Sequence, residues 1–101
     1  MELHVRKEGR CLEIYLKGEL DHHGAKGIMS WLDREIELAM PLRLILDFGS
    51  LTFMDSSGIA IVMRARQRAK EFGGTIKLRN VPQQSRKVLD AAGISRIVEM
   101  D

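Results

Sequence analysis

The spacing of apolar residues changes from two to about 3.6 within the first half of the chain, and that change limits the fold more than any other feature. "CLEIYLKG" (11–18) alternates strictly, with Leu12, Ile14 and Leu16 on one side; "ELHVRK" (2–7) alternates more weakly before it. Joined by the short "EGR" turn, the two stretches predict a β-hairpin. From Ala25 the pattern is helical: Ala25, Ile28, Met29, Leu32, Ile36 and Ala39 fall on one stripe. Asp21 reads as its N-cap, and the helix is expected to reach about Met40, where Pro41 stops it. Gly24 and Gly27 weaken its first turn.

The alternation of elements continues. "LRLILDF" (42–48) has the apolar density of a buried strand. A second helix starts at Ser56 or Ser57 and ends at Gly73-Gly74. "TIKLR" (75–79) is a strand. "PQQSRKVLDAA" (82–92) is a third helix, with Pro82 in its first turn and Gly93 just past its end. Leu89 and Ile94 stand where a Schellman motif places its apolar contact. "RIVEM" (96–100) is a last short strand or tail. The order β-β-α-β-α-β-α-β predicts an α/β fold: a small mixed, mostly parallel sheet with helices packed on it, made by right-handed crossovers. At 101 residues the whole chain, 1–101, is expected to form a single domain.

Composition narrows the function. A net charge of +2 is too small to argue for direct contact with nucleic acid. Cys11 is the only cysteine, so an internal disulfide and C-x-x-C metal sites are excluded; it opens an apolar alternation and reads as a structural thiol. The start "MELHVRKEGR" is polar and mixed, unlike a signal peptide, and no apolar run approaches the ~20 residues that span a bilayer. A cytoplasmic protein with no membrane contact is the expectation.

In a parallel sheet, functional loops gather at the carboxyl ends of the strands. Two qualify here, "GELDHHG" (18–24) and "FMDSSG" (53–58), and they are expected side by side. Asp55, Ser56 and Ser57 are all cap-type residues, yet one is enough to cap a helix. Asp55 as cap leaves a serine free at the helix mouth, where unpaired N–H groups and a partial positive charge tolerate a phosphate. Nucleophilic catalysis fits less well. The elbow motif G-x-S-x-G is absent, and a serine nucleophile needs an oriented base, for which only His22 and His23 are near. Asp21, His22 and His23 are adjacent in sequence and point different ways, so no metal site is expected. On the second helix, Gly58, Ile61, Val62, Ala65, Ala69 and Phe72 form the core stripe. Ile59 and Met63 lie outside it, with Arg66 and Lys70, as a partner surface or as ordinary single exposed apolar residues.

"GELDHH" (18–23) followed by "LTFMDSSGIA" (51–60) closely resembles the anti-sigma factor antagonists of the STAS domain, most of all the sporulation type that counteracts the anti-sigma-F factor. Gly73-Gly74 and "LDAAGI" (89–94) match as well. One departure stands out: members usually carry a further C-terminal helix, and this sequence stops at Asp101. The resemblance implies a non-enzymatic partner switch. The unmodified protein would bind an anti-sigma factor that is also a serine kinase, releasing the sigma factor. Ser56, the first serine of D-S-S-G, would be the phosphoacceptor, and a serine phosphatase would reverse the modification. Asp21 would belong to the contact surface, and by position His22, His23, Asp55, Ser57, Gly58, Ile59 and Met63 would join it. No cofactor is called for, since ATP would belong to the kinase. A scaffold or sensor module of the same family, binding a small ligand or a larger assembly, is the alternative, and a small hydrolase is a third.

Overall fold

The first two strands, Glu2–Glu8 (β1) and Cys11–Leu20 (β2), pair antiparallel from Glu2↔Lys17 to Glu8↔Cys11 in a computed structural model covering residues 1–101. Gly9 takes φ 59 at the first position of the two-residue turn, as a II′ turn requires. Helix α1 (His22–Ala39) follows, then β3 (Arg43–Met54), α2 (Ser57–Glu71), β4 (Thr75–Arg79), α3 (Gln83–Ala91), a 3₁₀ turn (Ile94–Arg96) and β5 (Glu99–Met100). The sheet order is β1-β2-β3-β4-β5, antiparallel only at β1/β2. This is the mixed, mostly parallel sheet that the alternating periods predict.

Each crossover steps one strand along in the same direction, and equal handedness places all three helices on one face. Leu12, Ile14 and Leu16 of β2, Leu44, Leu46 and Phe48 of β3, and Ile76 and Leu78 of β4 point into that layer. There they share one core with Ile28, Leu32 and Ile36 of α1, Ile61, Val62 and Ala65 of α2, and Leu89 of α3. The opposite face carries polar side chains that satisfy one another. Arg79 donates from Nε to Asp47 (3.0 Å), from Nη1 to Glu13 (2.8 Å) and from Nη2 to the Tyr15 hydroxyl (3.0 Å). Glu13 first, then Asp47, push the Arg79 guanidinium above the usual arginine range. Asp47 is buried on this face, and Asn80 supplies it another donor.

Five boundaries differ from expectation. α1 stops at Ala39, one residue short, because Met40 enters the left-handed region at φ 44; Arg10 Nε and Nη2 both donate to its carbonyl. β2 and β3 run further than predicted, to Leu20 and Met54. The β2–β3 register shifts between Tyr15 and Lys17 and again between Gly18 and Glu19, each time with an extra residue on β3. The buried positions of β3 therefore change from Leu44, Leu46 and Phe48 to Leu51 and Met54. That step from two to three hides the strand from a period-two reading. The final strand is only Glu99–Met100. Gly93, at φ 73, donates to the Asp90 carbonyl as a Schellman cap does, and the turn after it buries Ile94 and Val98 in place of a longer strand. Pro82 is the N-cap of α3 and lies outside its first turn.

Candidate functional site

Because β2 and β3 are parallel and end together at Leu20↔Met54, both following connections open on the same side of the sheet. They are shorter than the sequence suggests. Asp21 alone joins β2 to α1, and Asp55-Ser56 joins β3 to α2. The two are tied directly, since the Asp55 N–H donates to the Leu20 carbonyl at 3.2 Å. Asp21 caps α1: its Oδ1 accepts from the Gly24 N–H at 2.8 Å.

The mouth of α2 separates the two serines. Asp55 Oδ1 accepts from the Ser57 N–H at 2.8 Å. Ser56 occupies the N-cap position, yet its hydroxyl makes no capping bond and it is exposed. Asp55 thus performs the capping that usually falls to the N-cap side chain. The free N–H groups expected here are largely taken. Ser57 gives its own to Asp55 Oδ1, Gly58 donates to the Asp55 carbonyl at 3.0 Å and Ile59 to the Ser56 carbonyl at 3.1 Å. What remains to favour an anion is the helix dipole and open access.

The serines also face different neighbours. Ser56 shares a shallow apolar depression with Ile59 and with Lys87, Val88, Ala91 and Ala92 of α3. Ser57 is half-buried and faces α1, beside His22, Lys26, Met29 and Ala60. His23 is exposed and lines neither depression. The Asp21 and Asp55 carboxylates accept from backbone N–H groups, and no bond joins either imidazole to a serine hydroxyl. No group of three His, Cys, Asp or Glu side chains converges in a way that could hold a metal ion.

Two residues, Gly58 and Ile59, differ from the expected contact surface. Gly58 is buried, and a Cβ there would lie 2.4 Å from Met54 Sδ and 3.2 Å from Leu20 Cδ2. Its role is to let α2 sit against both strand ends, and it offers no surface to a partner. Ile59 is half-buried, packed against the core beside α3. Met63 is exposed, and the cations near it include Arg64 of the same helix, which pairs with Asp33 through two 2.9 Å bonds. That pair raises the Arg64 pKa and ties α2 to α1.

Sequence reasoning missed Gln84. Its Oε1 accepts from the Met54 N–H at 2.9 Å and its Nε2 donates to the Met54 carbonyl at 2.7 Å. β4 stops pairing with β3 at Asp47↔Arg79, so the last residues of β3 lack a neighbour on that side. At Met54, next to Asp55, one amide side chain supplies both bonds a strand would make. The available signal was topological: "NVPQQ" (80–84) also follows a parallel strand and opens at the same end of the sheet.

Known proteins share this fold. An anti-sigma F factor antagonist of Paenibacillus polymyxa is 26% identical over 98 residues, covering 97% of this chain and 84% of its own. The solved structure of the anti-sigma factor antagonist SpoIIAA in its unphosphorylated form superposes with a TM-score of 0.76 at 27% identity, over 99% of this chain and 87% of that one. The Bacillus cell fate determinant SpoIIAA in its phosphorylated form gives 0.75 at 27% identity, over 99% and 91%. No helix is long and apolar enough to cross a membrane. The STAS domain profile matches residues 2–101, the same span that builds the sheet, its helices and the paired strand ends, and the chain therefore belongs to the STAS domain family.

Proposed function

We propose that this chain is an anti-sigma factor antagonist acting by partner switching, a single-domain binding module with no catalysis of its own. Unmodified, it binds an anti-sigma factor that is also a serine kinase and so frees the sigma factor. Phosphorylation of Ser56 ends the binding, and a serine phosphatase restores it, all in the cytoplasm. The observation that carries this reading is the Ser56 hydroxyl: exposed and unbonded, at a helix start whose cap is supplied by Asp55. The similarity to an anti-sigma F factor antagonist and to SpoIIAA points the same way.

The chemistry of the switch follows from charge. A phosphate adds about −1.5 to −2 charges near neutral pH. At the start of α2 the helix dipole tolerates it, so the fold is kept. Next to Asp55, and on the surface that also carries Asp21, it concentrates negative charge where the partner must dock. A loss of about 3 kcal/mol lowers affinity by more than about a hundredfold. Asp21, His22, Asp55, Ser56, Ser57 and Met63 form the docking surface, with His23 at its margin and the exposed edge of Ile59 contributing.

The test combines a pull-down by a kinase-type anti-sigma factor in the presence of ATP with intact mass afterwards. Binding that disappears as one phosphate is added to Ser56 supports the reading. Binding that is unchanged by the modification, or no binding of the unmodified chain, refutes it.

A further inference from the structure

Strand β1 is an open edge of the sheet. It pairs with β2 alone, residues 4–8 are all exposed, and neither a proline nor a register shift interrupts it. Proline and bulges are two of the usual protections of an edge; charged side chains are another, and here Glu2, Arg6, Lys7 and Glu8 are the ones present. The two-residue turn makes Glu8↔Cys11 a hydrogen-bonded pair, so Glu2, His4, Arg6 and Glu8 aim their backbone groups at β2. Leu3, Val5 and Lys7 aim theirs outward, free to pair. Side chains divide the opposite way. Glu2, His4, Arg6 and Glu8 stand on the helix-free face beside Lys17, Tyr15 and Glu13, while Leu3 and Val5 stand on the helix face beside Leu16 and Ile14. Val5 is 40% exposed, apolar surface at the rim of the core.

We propose that two copies of this chain join antiparallel through β1 in one register. Glu2 faces Arg6 of the second copy, Leu3 faces Val5, and His4 meets its own counterpart on the two-fold axis. In this register Leu3 and Val5 form the hydrogen-bonded pairs, using the groups that point outward. Opposite charges meet on the helix-free face, and apolar side chains meet on the helix face. Other registers lose this match. A shift of two residues one way sets Glu2 against Glu8 and His4 against Arg6; a further shift sets Arg6 against itself. A shift the other way leaves only residues 2–4 overlapping. Odd shifts put the side chains on the wrong faces. The two-fold axis is perpendicular to the sheet, so the sheet continues through both copies with all helices on one side. The carboxyl ends of the parallel strands then point in opposite directions, and both Ser56 loops stay free.

Sedimentation equilibrium of the chain, from micromolar to near-millimolar concentration, tests this alongside amide exchange. The wild type is expected to approach the dimer mass, with exchange at Leu3 and Val5 slowing as concentration rises. Arg6→Glu should weaken the dimer by at least about tenfold, and adding Glu2→Arg to it should restore the affinity to within about threefold. A wild type that stays monomeric overturns the proposal and leaves the edge to a strand of another protein. A dimer that ignores Arg6→Glu, or that the double exchange fails to restore, uses another surface and overturns it too. Should the variants melt early, wild-type exchange decides: no concentration-dependent protection at Leu3 and Val5 overturns the pairing.

Discussion

Asp55 Oδ1 holds the Ser57 N–H at 2.8 Å, and this one bond gives the two neighbouring serines different fates. Ser57 is drawn toward α1 and half-buried, whereas Ser56 stands exposed. Phosphate is therefore expected on Ser56 and not on Ser57. Fragment mass spectra of the kinase-treated protein locate it, and a group on Ser57 would contradict the assignment.

Substitution at Ser56 should separate charge from fold. Its hydroxyl makes no capping bond, so Ser56→Ala is expected to cost less than the ~1 kcal/mol of an ordinary cap. That variant should bind the anti-sigma factor and resist phosphorylation. Ser56→Asp should fold, since an acidic side chain suits a helix start, yet bind poorly. Titration calorimetry with thermal melts checks both. Equal affinity for the two variants would remove electrostatics as the switch.

Much of this was legible in the sequence, and the failures have identifiable causes. Asp21 as cap, the stripe through Ile28, Leu32 and Ile36, and the order of strands and helices are local signals, written in spacing and cap chemistry. The far end of β3 was not, because two extra residues break its period between Phe48 and Met54. Gln84 bonding to Met54 across thirty positions leaves no local trace at all. Gly58 could be assigned to the core stripe but also to the contact surface; only the approach of Met54 and Leu20 decides between them.

On α2, Met63→Glu should weaken partner binding while changing stability by no more than about 0.5 kcal/mol, since Met63 is exposed. Ile59→Glu should cost more, because half of that side chain packs against the core. Val62→Glu, with no exposed surface, should destabilise by more than about 3 kcal/mol by burying an unpaired charge. Urea denaturation ranks the three, and any other order would mean that the face of the helix is misassigned.

Gln84→Ala removes both partners of the Met54 backbone and is expected to cost about 1–3 kcal/mol. The more specific sign is local: amide exchange at Met54 should accelerate more than exchange in β4. If Gln84→Ala leaves Met54 protected, water replaces the side chain and the clamp is dispensable.

Arg79→Met should be more damaging than its position on the helix-free face suggests. It leaves Asp47, buried, and Glu13 without the cation they share, at an expected cost of about 3–5 kcal/mol. Replacing Asp47 by Asn in the same chain should recover part of that loss, measured by the same denaturation series.

The sheet order repeats the chain order from first strand to last. A ribosome therefore delivers each new strand beside one that already exists: the hairpin first, then one helix-and-strand unit at a time onto the growing edge. No strand has to be threaded between two others, and none waits for a later segment before it finds its neighbour. Assembly during synthesis can proceed in one direction, like laying planks.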